Sequence, residues 1–231
     1  NCRIIPPNGY MQKLRQICDE YKILLITDEV MTGFGRTGKM FACEHWDVVP
    51  DIMTLAKGIN NATLPLGATV VRKEIGDFLD DHIFYGGLTQ FGNPTSCAAA
   101  IAAIKVYQEE GLVENSRVLG LKLLGKLERM KQRHPSIGDV RGLGLFAAIE
   151  FVKDRKTREP VVPWTVENYE KKNPTMSAIL NQMKADGATG YSRWNVLFIA
   201  PPLCITEEQL MEGLAIIDKA IKIMDDLVSK N

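Results

Sequence analysis

Asp28, Glu29 and Lys57 are the residues whose types and spacing could do chemistry. The two acids close a short apolar run, residues 23–26, which is too short for a helix and reads as a buried parallel strand. Lys57 stands just beyond a second short run, Asp51-Ile52-Met53-Thr54-Leu55, within Ala56-Lys57-Gly58. An open α/β sheet forms its ligand crevice at the carboxyl ends of its strands, so this pattern sets acids and an amine at one crevice. A lysine amine can form a Schiff base with an aldehyde cofactor, and a carboxylate can keep a pyridine nitrogen protonated. The small neighbours Ala56 and Gly58 let a ring approach the backbone closely. On spacing alone, the same residues also fit a surface lysine in a loop after a strand and an acid capping a helix.

Two glycine patterns overlap this stretch. Gly33-Phe34-Gly35-Arg36-Thr37-Gly38 fits the dinucleotide fingerprint, and the run from Gly33 to Lys39 fits the start of a P-loop. Met40, however, stands where a P-loop serine or threonine must reach magnesium. Asp28 to Thr32 separate the strand from the glycines, and no apolar-periodic helix begins at Gly38. A loop with tight turns accounts for the glycines. A nucleotide-binding protein using Gly33 to Lys39 stays as the rival from a different class.

The elements around these residues alternate. Tyr10, Met11, Leu14, Ile17, Cys18 and Tyr21 recur at helical spacing and predict a helix leading into the first strand. Residues 68–71 read as another buried strand and 74–81 as a helix. In Gly86-Gly87-Leu88-Thr89 the glycines free backbone amides to face an anion and Thr89 adds a hydroxyl, although a short glycine motif is as readily a turn. Asn93-Pro94 opens an alanine-rich helix to about residue 110. A second helix, about 113–133, ends before His134-Pro135, which places His134 on the surface. Strands over 145–151 and 195–199 flank a helix at 175–186. Thr206-Glu207-Glu208-Gln209 is a capping box, followed by an apolar face of Leu210, Leu214, Ile217, Ile221 and Met224. The charged run 153–159 reads as a solvated hairpin or loop, and Arg141-Gly142-Leu143-Gly144 as a structural turn. The fold class is α/β, with residues 1–110 as one domain and 111–231 as a linking helix and smaller domain.

Composition narrows the partners. Of 231 residues, 45% are apolar and 24% charged, and 28 basic residues balance 28 acidic ones. Zero net charge argues against a nucleic-acid or membrane surface, and no apolar run reaches the length of a membrane span. Cys2, Cys18, Cys43, Cys97 and Cys204 are scattered without a C-x-x-C pair and read as reduced thiols of a cytoplasmic protein. His45 and His82 have no ligand-spaced partner, so no metal is expected.

The wording LLITDEVMTGFGRTG followed by DIMTLAKGI resembles the signature of the class III aminotransferases, which use pyridoxal 5'-phosphate. The likeness continues in GGLTQFGNP, DVRGLGLFAAIEFV and APPLCIT. It implies the type I fold of pyridoxal-phosphate-dependent transferases, with a mainly parallel large domain and an α+β small domain. It implies that Asp28 meets the pyridine nitrogen, Val30 packs on the ring and Lys57 carries the cofactor as a Schiff base. It also implies that Thr89 binds the cofactor phosphate of a partner subunit, hence a homodimer with shared active sites. Here Gln90 follows that threonine, where the family commonly has an aromatic. Family members hold a substrate carboxylate with an arginine upstream of the P-P-L segment. Ten residues before Pro201 stands Tyr191, so the candidates are Arg193, two residues on, or a group in the N-terminal half of the family's chain.

The chain reads as the C-terminal half of such an enzyme, without the glycine-serine phosphate loop and the ring-stacking aromatic. The wording leans towards the omega-amino acid and taurine–pyruvate subgroup, with pyruvate or another 2-oxo acid as acceptor. A pyridoxal-phosphate-dependent decarboxylase or aminomutase of the same family would share every residue named.

Overall fold

The computed structural model describes residues 4–170 and 173–229. It divides into two compact units, one over residues 6–114 and one over the described residues of 1–5 and 115–231.

In the first unit α1 (Tyr10–Glu20) turns Met11, Leu14 and Cys18 onto Leu25, Trp46 and Val48. Strands β1 (Ile26–Asp28), β2 (Ile52–Leu55) and β3 (Ala68–Val71) form one sheet in that order. β1 and β2 run parallel, with Ile26 opposite Ile52 and Asp28 opposite Thr54. β3 returns antiparallel, with Ile52 opposite Val71. The apolar run 23–26 departs from expectation. The strand starts only at Ile26, and of the four residues Leu25 alone is buried, while Ile23, Leu24 and Ile26 are each more than half exposed. Ile23 and Leu24 precede the strand, and β1 is an edge of the sheet among the described residues. β3 is likewise half-exposed rather than buried.

Asp51 ties this unit together at the entrance to β2. Its carboxylate accepts from the Leu25 amide and the Arg15 guanidinium, and from Arg72 on its other oxygen, each at 2.7 Å. Helix α2 (Lys73–Asp81) follows β3. Helix α3 (Pro94–Glu109) starts where Asn93 Oδ1 accepts from the amides of Thr95 and Ser96, with Pro94 in the first turn.

The second unit opens along α4 (Leu112–Arg133). Its strands β4 (Ile137–Leu143), β5 (Phe146–Asp154) and β6 (Glu159–Pro160) precede helices α5 (Val166–Glu170) and α6 (Pro174–Ala185). Strands β7 (Tyr191–Arg193) and β8 (Val196–Ile199) and helix α7 (Glu207–Val228) complete it. The antiparallel sheet runs β4-β5-β8-β7, with β6 beside β5. Leu119, Leu123, Leu127 and Met130 of α4 recur every three or four residues and are buried, as are Leu210, Leu214, Ile217, Ile221 and Met224 of α7. The expected capping box forms: Thr206 Oγ1 accepts from the Gln209 amide at 3.2 Å and Gln209 Oε1 from the Thr206 amide at 3.0 Å. α4 passes the turn between β4 and β5 at Gly120, where a Cβ would lie 2.4 Å from the Gly144 backbone.

Two readings of this unit need correction, and a third gains a detail. The segment Arg141 to Gly144 is a turn only at Gly144, which has φ +55. Before it runs β4, on which Arg141 pairs with Asp139 and Glu150 at 2.7 Å each. His134 is buried rather than exposed. Its Nδ1 lies 2.5 Å from Asp225 Oδ2 and its Nε2 3.0 Å from Asp218 Oδ1, both acids belonging to α7. The charged run 153–159 does make a hairpin between β5 and β6, yet Arg155 folds back from it. Its guanidinium donates to the carbonyls of Ile137 at 2.9 Å, His134 at 2.5 Å and Lys131, satisfying acceptors at the end of α4 and the start of β4.

Among the described residues no helix is long and apolar enough to cross a membrane, and no cluster of three potential metal ligands occurs. Cys18, Cys43, Cys97 and Cys204 are free thiols, while Cys2 lies outside the described residues.

Candidate active site

Parallel pairing of β1 and β2 puts the carboxyl ends of both strands at one edge of the sheet. Asp28 is the last residue of β1, and its side chain is exposed. Its Oδ1 accepts from the Val30 amide at 3.0 Å, an Asx-type turn that sets the carboxylate at the strand end. Val30 is half-buried beside it.

Glu29 does something else. It points inward, 3% exposed, and accepts from the amides of Ala42 at 3.0 Å and Cys43 at 2.9 Å and from the Thr32 hydroxyl. Those amides open a 3₁₀ helix, Ala42–Trp46. A carboxylate of the protein thus takes the place at a helix N-terminus that a phosphate would need in a P-loop. The glycines after it form turns that lead to this short helix and not to an α-helix. Gly33 is required by a close approach: its amide donates to the Glu29 carbonyl at 2.8 Å, and a Cβ would stand 2.9 Å from that oxygen. Burial first, then the Glu29 charge, push the Cys43 thiol up to about 11.

Lys57 opens the 3₁₀ turn Lys57–Ile59 that follows β2, and its side chain is exposed. Its φ is +47, a left-handed conformation that costs a non-glycine residue on the order of 1–3 kcal/mol and persists only under restraint. Restraint is visible. The Ile59 amide donates to Ala56 at 3.1 Å and the Ala62 amide to Lys57 at 3.3 Å. Gly58 admits no side chain, since a Cβ would sit 2.8 Å from Phe34 Cβ. The Tyr107 hydroxyl of α3 donates to the Gly58 carbonyl at 2.8 Å, and its ring stacks on Phe34 with centroids 5.9 Å apart. Burial raises the Tyr107 hydroxyl above its usual range, with the Arg36 charge opposing; burial also lowers the Arg36 guanidinium.

Thr89 and Arg193, also singled out from sequence, lie on other elements. Thr89 is exposed in the loop between α2 and α3, among the exposed side chains of Phe84, Tyr85, Leu88 and Phe91. Arg193 ends β7 in the second unit, its guanidinium carbon 5.3 Å above the Trp194 ring, which itself stacks on Trp164 at 5.1 Å. Asp28, Val30 and Lys57 are therefore brought to one sheet edge. Sequence reasoning passed over Glu29's inward role and over Phe34 and Tyr107. The available signal for Tyr107 was a lone phenol in an alanine-rich helix.

An exposed carboxylate and an exposed primary amine on adjacent strand ends are the donor set that a cofactor with an aldehyde and a basic ring nitrogen requires. The residues present fit such a group.

The family model for aminotransferase class-III matches residues 3–221. An uncharacterized aminotransferase, YhxA, of Bacillus subtilis (strain 168) is 42% identical over 211 residues, covering 90% of this chain and 46% of the relative. A taurine–pyruvate aminotransferase of Bilophila wadsworthia is 40% identical over 223 residues, covering 94% and 48%. Among solved structures, a taurine:2-oxoglutarate aminotransferase of Bifidobacterium kashiwanohense, in complex with PLP and glutamate, superposes with a TM-score of 0.90. It is 42% identical and is matched over 96% of this chain and 49% of its own. This chain spans about half the length of the curated relatives it matches. Over that half, the mixed α/β fold is the type I fold of pyridoxal-phosphate-dependent transferases. The chain belongs to the class III aminotransferases.

Proposed function

We propose that this chain supplies the amine and the acid of a pyridoxal 5'-phosphate-dependent transaminase. Its donor would be an omega-amino acid, an amine or a taurine-like compound, and its acceptor a 2-oxo acid such as pyruvate. The observation that carries the reading is the placement of Asp28 and Lys57 at the carboxyl ends of two adjacent parallel strands. When bound, the cofactor supplies an aldehyde that condenses with amines and a ring that accepts an electron pair.

The chain's own residues do the rest. Lys57 Nζ holds the cofactor between turnovers and, once displaced by the donor amine, moves a proton to and from the substrate carbon. Asp28, its Oδ1 oriented by the Val30 amide, keeps the ring nitrogen protonated, and Val30 packs against the ring. Thr89 donates to the cofactor phosphate of a second subunit. The exposed apolar side chains around it support a homodimer in which that loop is covered. Arg193 is the proposed carboxylate partner for substrate. Residues 1–110 would belong to the cofactor domain and 111–231 to a linking helix and small domain, with no nucleic acid or membrane involved and a cytoplasmic location.

Borohydride reduction of the full-length protein incubated with pyridoxal 5'-phosphate, followed by peptide mass spectrometry, tests the assignment. The expected product is a phosphopyridoxyl group on Lys57, and its appearance on any other lysine refutes the reading. With taurine and pyruvate, alanine should form in step with donor loss, and donor loss without alanine would point to a lyase or decarboxylase instead.

A further inference from the structure

We propose that Tyr107 is a positioning residue for Lys57, acting through the hydrogen bond from its hydroxyl to the Gly58 carbonyl. The inference rests on the reading of Lys57 as the cofactor-bearing amine.

Tyr107 lies 49 residues along the chain from the carbonyl it reaches, at 2.8 Å, so the bond joins α3 to the Lys57–Ile59 turn. Its ring is 8% exposed and stacks on Phe34, the same side chain that excludes a Cβ from Gly58. The peptide after Lys57 is therefore confined from two directions, by the phenylalanine ring and by the phenol oxygen. Lys57 itself sits at φ +47, which an L-residue leaves once its neighbours release it. The acceptor is a backbone carbonyl in a partly buried place, so the hydroxyl is the needed feature and not the ring. α3 is otherwise rich in alanine, a helix built for close packing, and the phenol on it donates to the Gly58 carbonyl with the Arg36 charge nearby. Loss of that contact would let the turn sample other conformations and swing the amine out of register with Asp28.

The test compares wild type, Tyr107→Phe and Arg72→Ala in the full-length protein. Arg72→Ala removes an ion pair to Asp51 in the same unit and serves as a control for general loosening. Two quantities are read. One is hydrogen exchange at the amides of Ile59, Ala62 and Thr63, measured without cofactor. The other is the rate at which pyridoxal 5'-phosphate and borohydride label Lys57. In Tyr107→Phe exchange should quicken, and Lys57 labelling should slow, each by about fivefold, the equivalent of roughly 1 kcal/mol. Arg72→Ala should leave both near wild type. The proposal is overturned if Tyr107→Phe leaves the exchange unchanged, or if Arg72→Ala speeds the same amides equally. Labelling of a different lysine in wild type would sink the reading of Lys57, while the exchange arm would still decide whether Tyr107 holds the turn.

Discussion

Glu29→Ala offers the most direct test of how the acid-bearing loop is built. The side chain is buried and accepts from three donors: the Thr32 hydroxyl and the amides of Ala42 and Cys43. The hydroxyl can rotate to another partner, but the two amides cannot. Ala42 and Cys43 are 8% and 6% exposed, so water does not replace the carboxylate without opening the loop. A buried donor left unpaired costs about 1–3 kcal/mol, which puts the loss at roughly 2–6 kcal/mol. Set against a total stability of about 5–15 kcal/mol, that is a large fraction. Glu29→Gln keeps one carbonyl oxygen and turns a donor towards the second amide, so it should fall between the two. Urea unfolding monitored by circular dichroism measures the midpoint and slope. Cys43 supplies an independent readout, because removing the Glu29 charge lowers its thiol from about 11 and should speed its alkylation. A Glu29→Ala protein that unfolds within about 1 kcal/mol of wild type refutes the reasoning.

Asp28→Asn should still accept a phosphopyridoxyl group on Lys57 yet lose about a hundredfold or more in turnover, roughly 3 kcal/mol; near-normal turnover with ordinary donors would show that its charge is not needed. At Asp51, burial raises the carboxyl, but the Leu25 amide, Arg15 and Arg72 more than offset it and hold it below the usual range. A depressed value in the folded state means stability that is present above about pH 4 and lost as pH falls through the folded value. The stability gap between wild type and Asp51→Asn should therefore shrink on acidification below that point, and a gap independent of pH in acid unfolding curves would contradict this.

The placement of Asp28 and Lys57 was legible because the type of residue and the end of a strand coincide. Asp28 and Lys57 follow short apolar runs, and parallel pairing does the rest. Helix bounds were legible from local chemistry, as with Asn93-Pro94 and the Thr206 capping box. Partners far along the chain were not. His134 beside a proline gives no hint of Asp218 and Asp225, 84 and 91 residues on, and Arg155 in a charged run gives none of the carbonyls it caps. Asp28 and Glu29 are adjacent and chemically alike, yet alternate sides of the chain decide which meets solvent and which pins a loop. β7 and β4 escaped because their residues are mixed in polarity and earn strand geometry only from the neighbours β8 and β5.

The buried His134 has a consequence for how the protein is made. Its two acids sit on the last helix, and Ser136 shares Asp225 with it, the Ser136 hydroxyl at 2.6 Å. Ribosomes add about 5–20 residues per second, so Asp225, 91 residues later, emerges roughly 5–18 s after His134. For that interval His134 lacks both of its acids and Ser136 lacks Asp225, so the polar groups that follow α4 stay without these partners. Chaperone occupancy during translation should be concentrated in this window, and a truncation that removes the final turns of α7 should leave a chain that never leaves it.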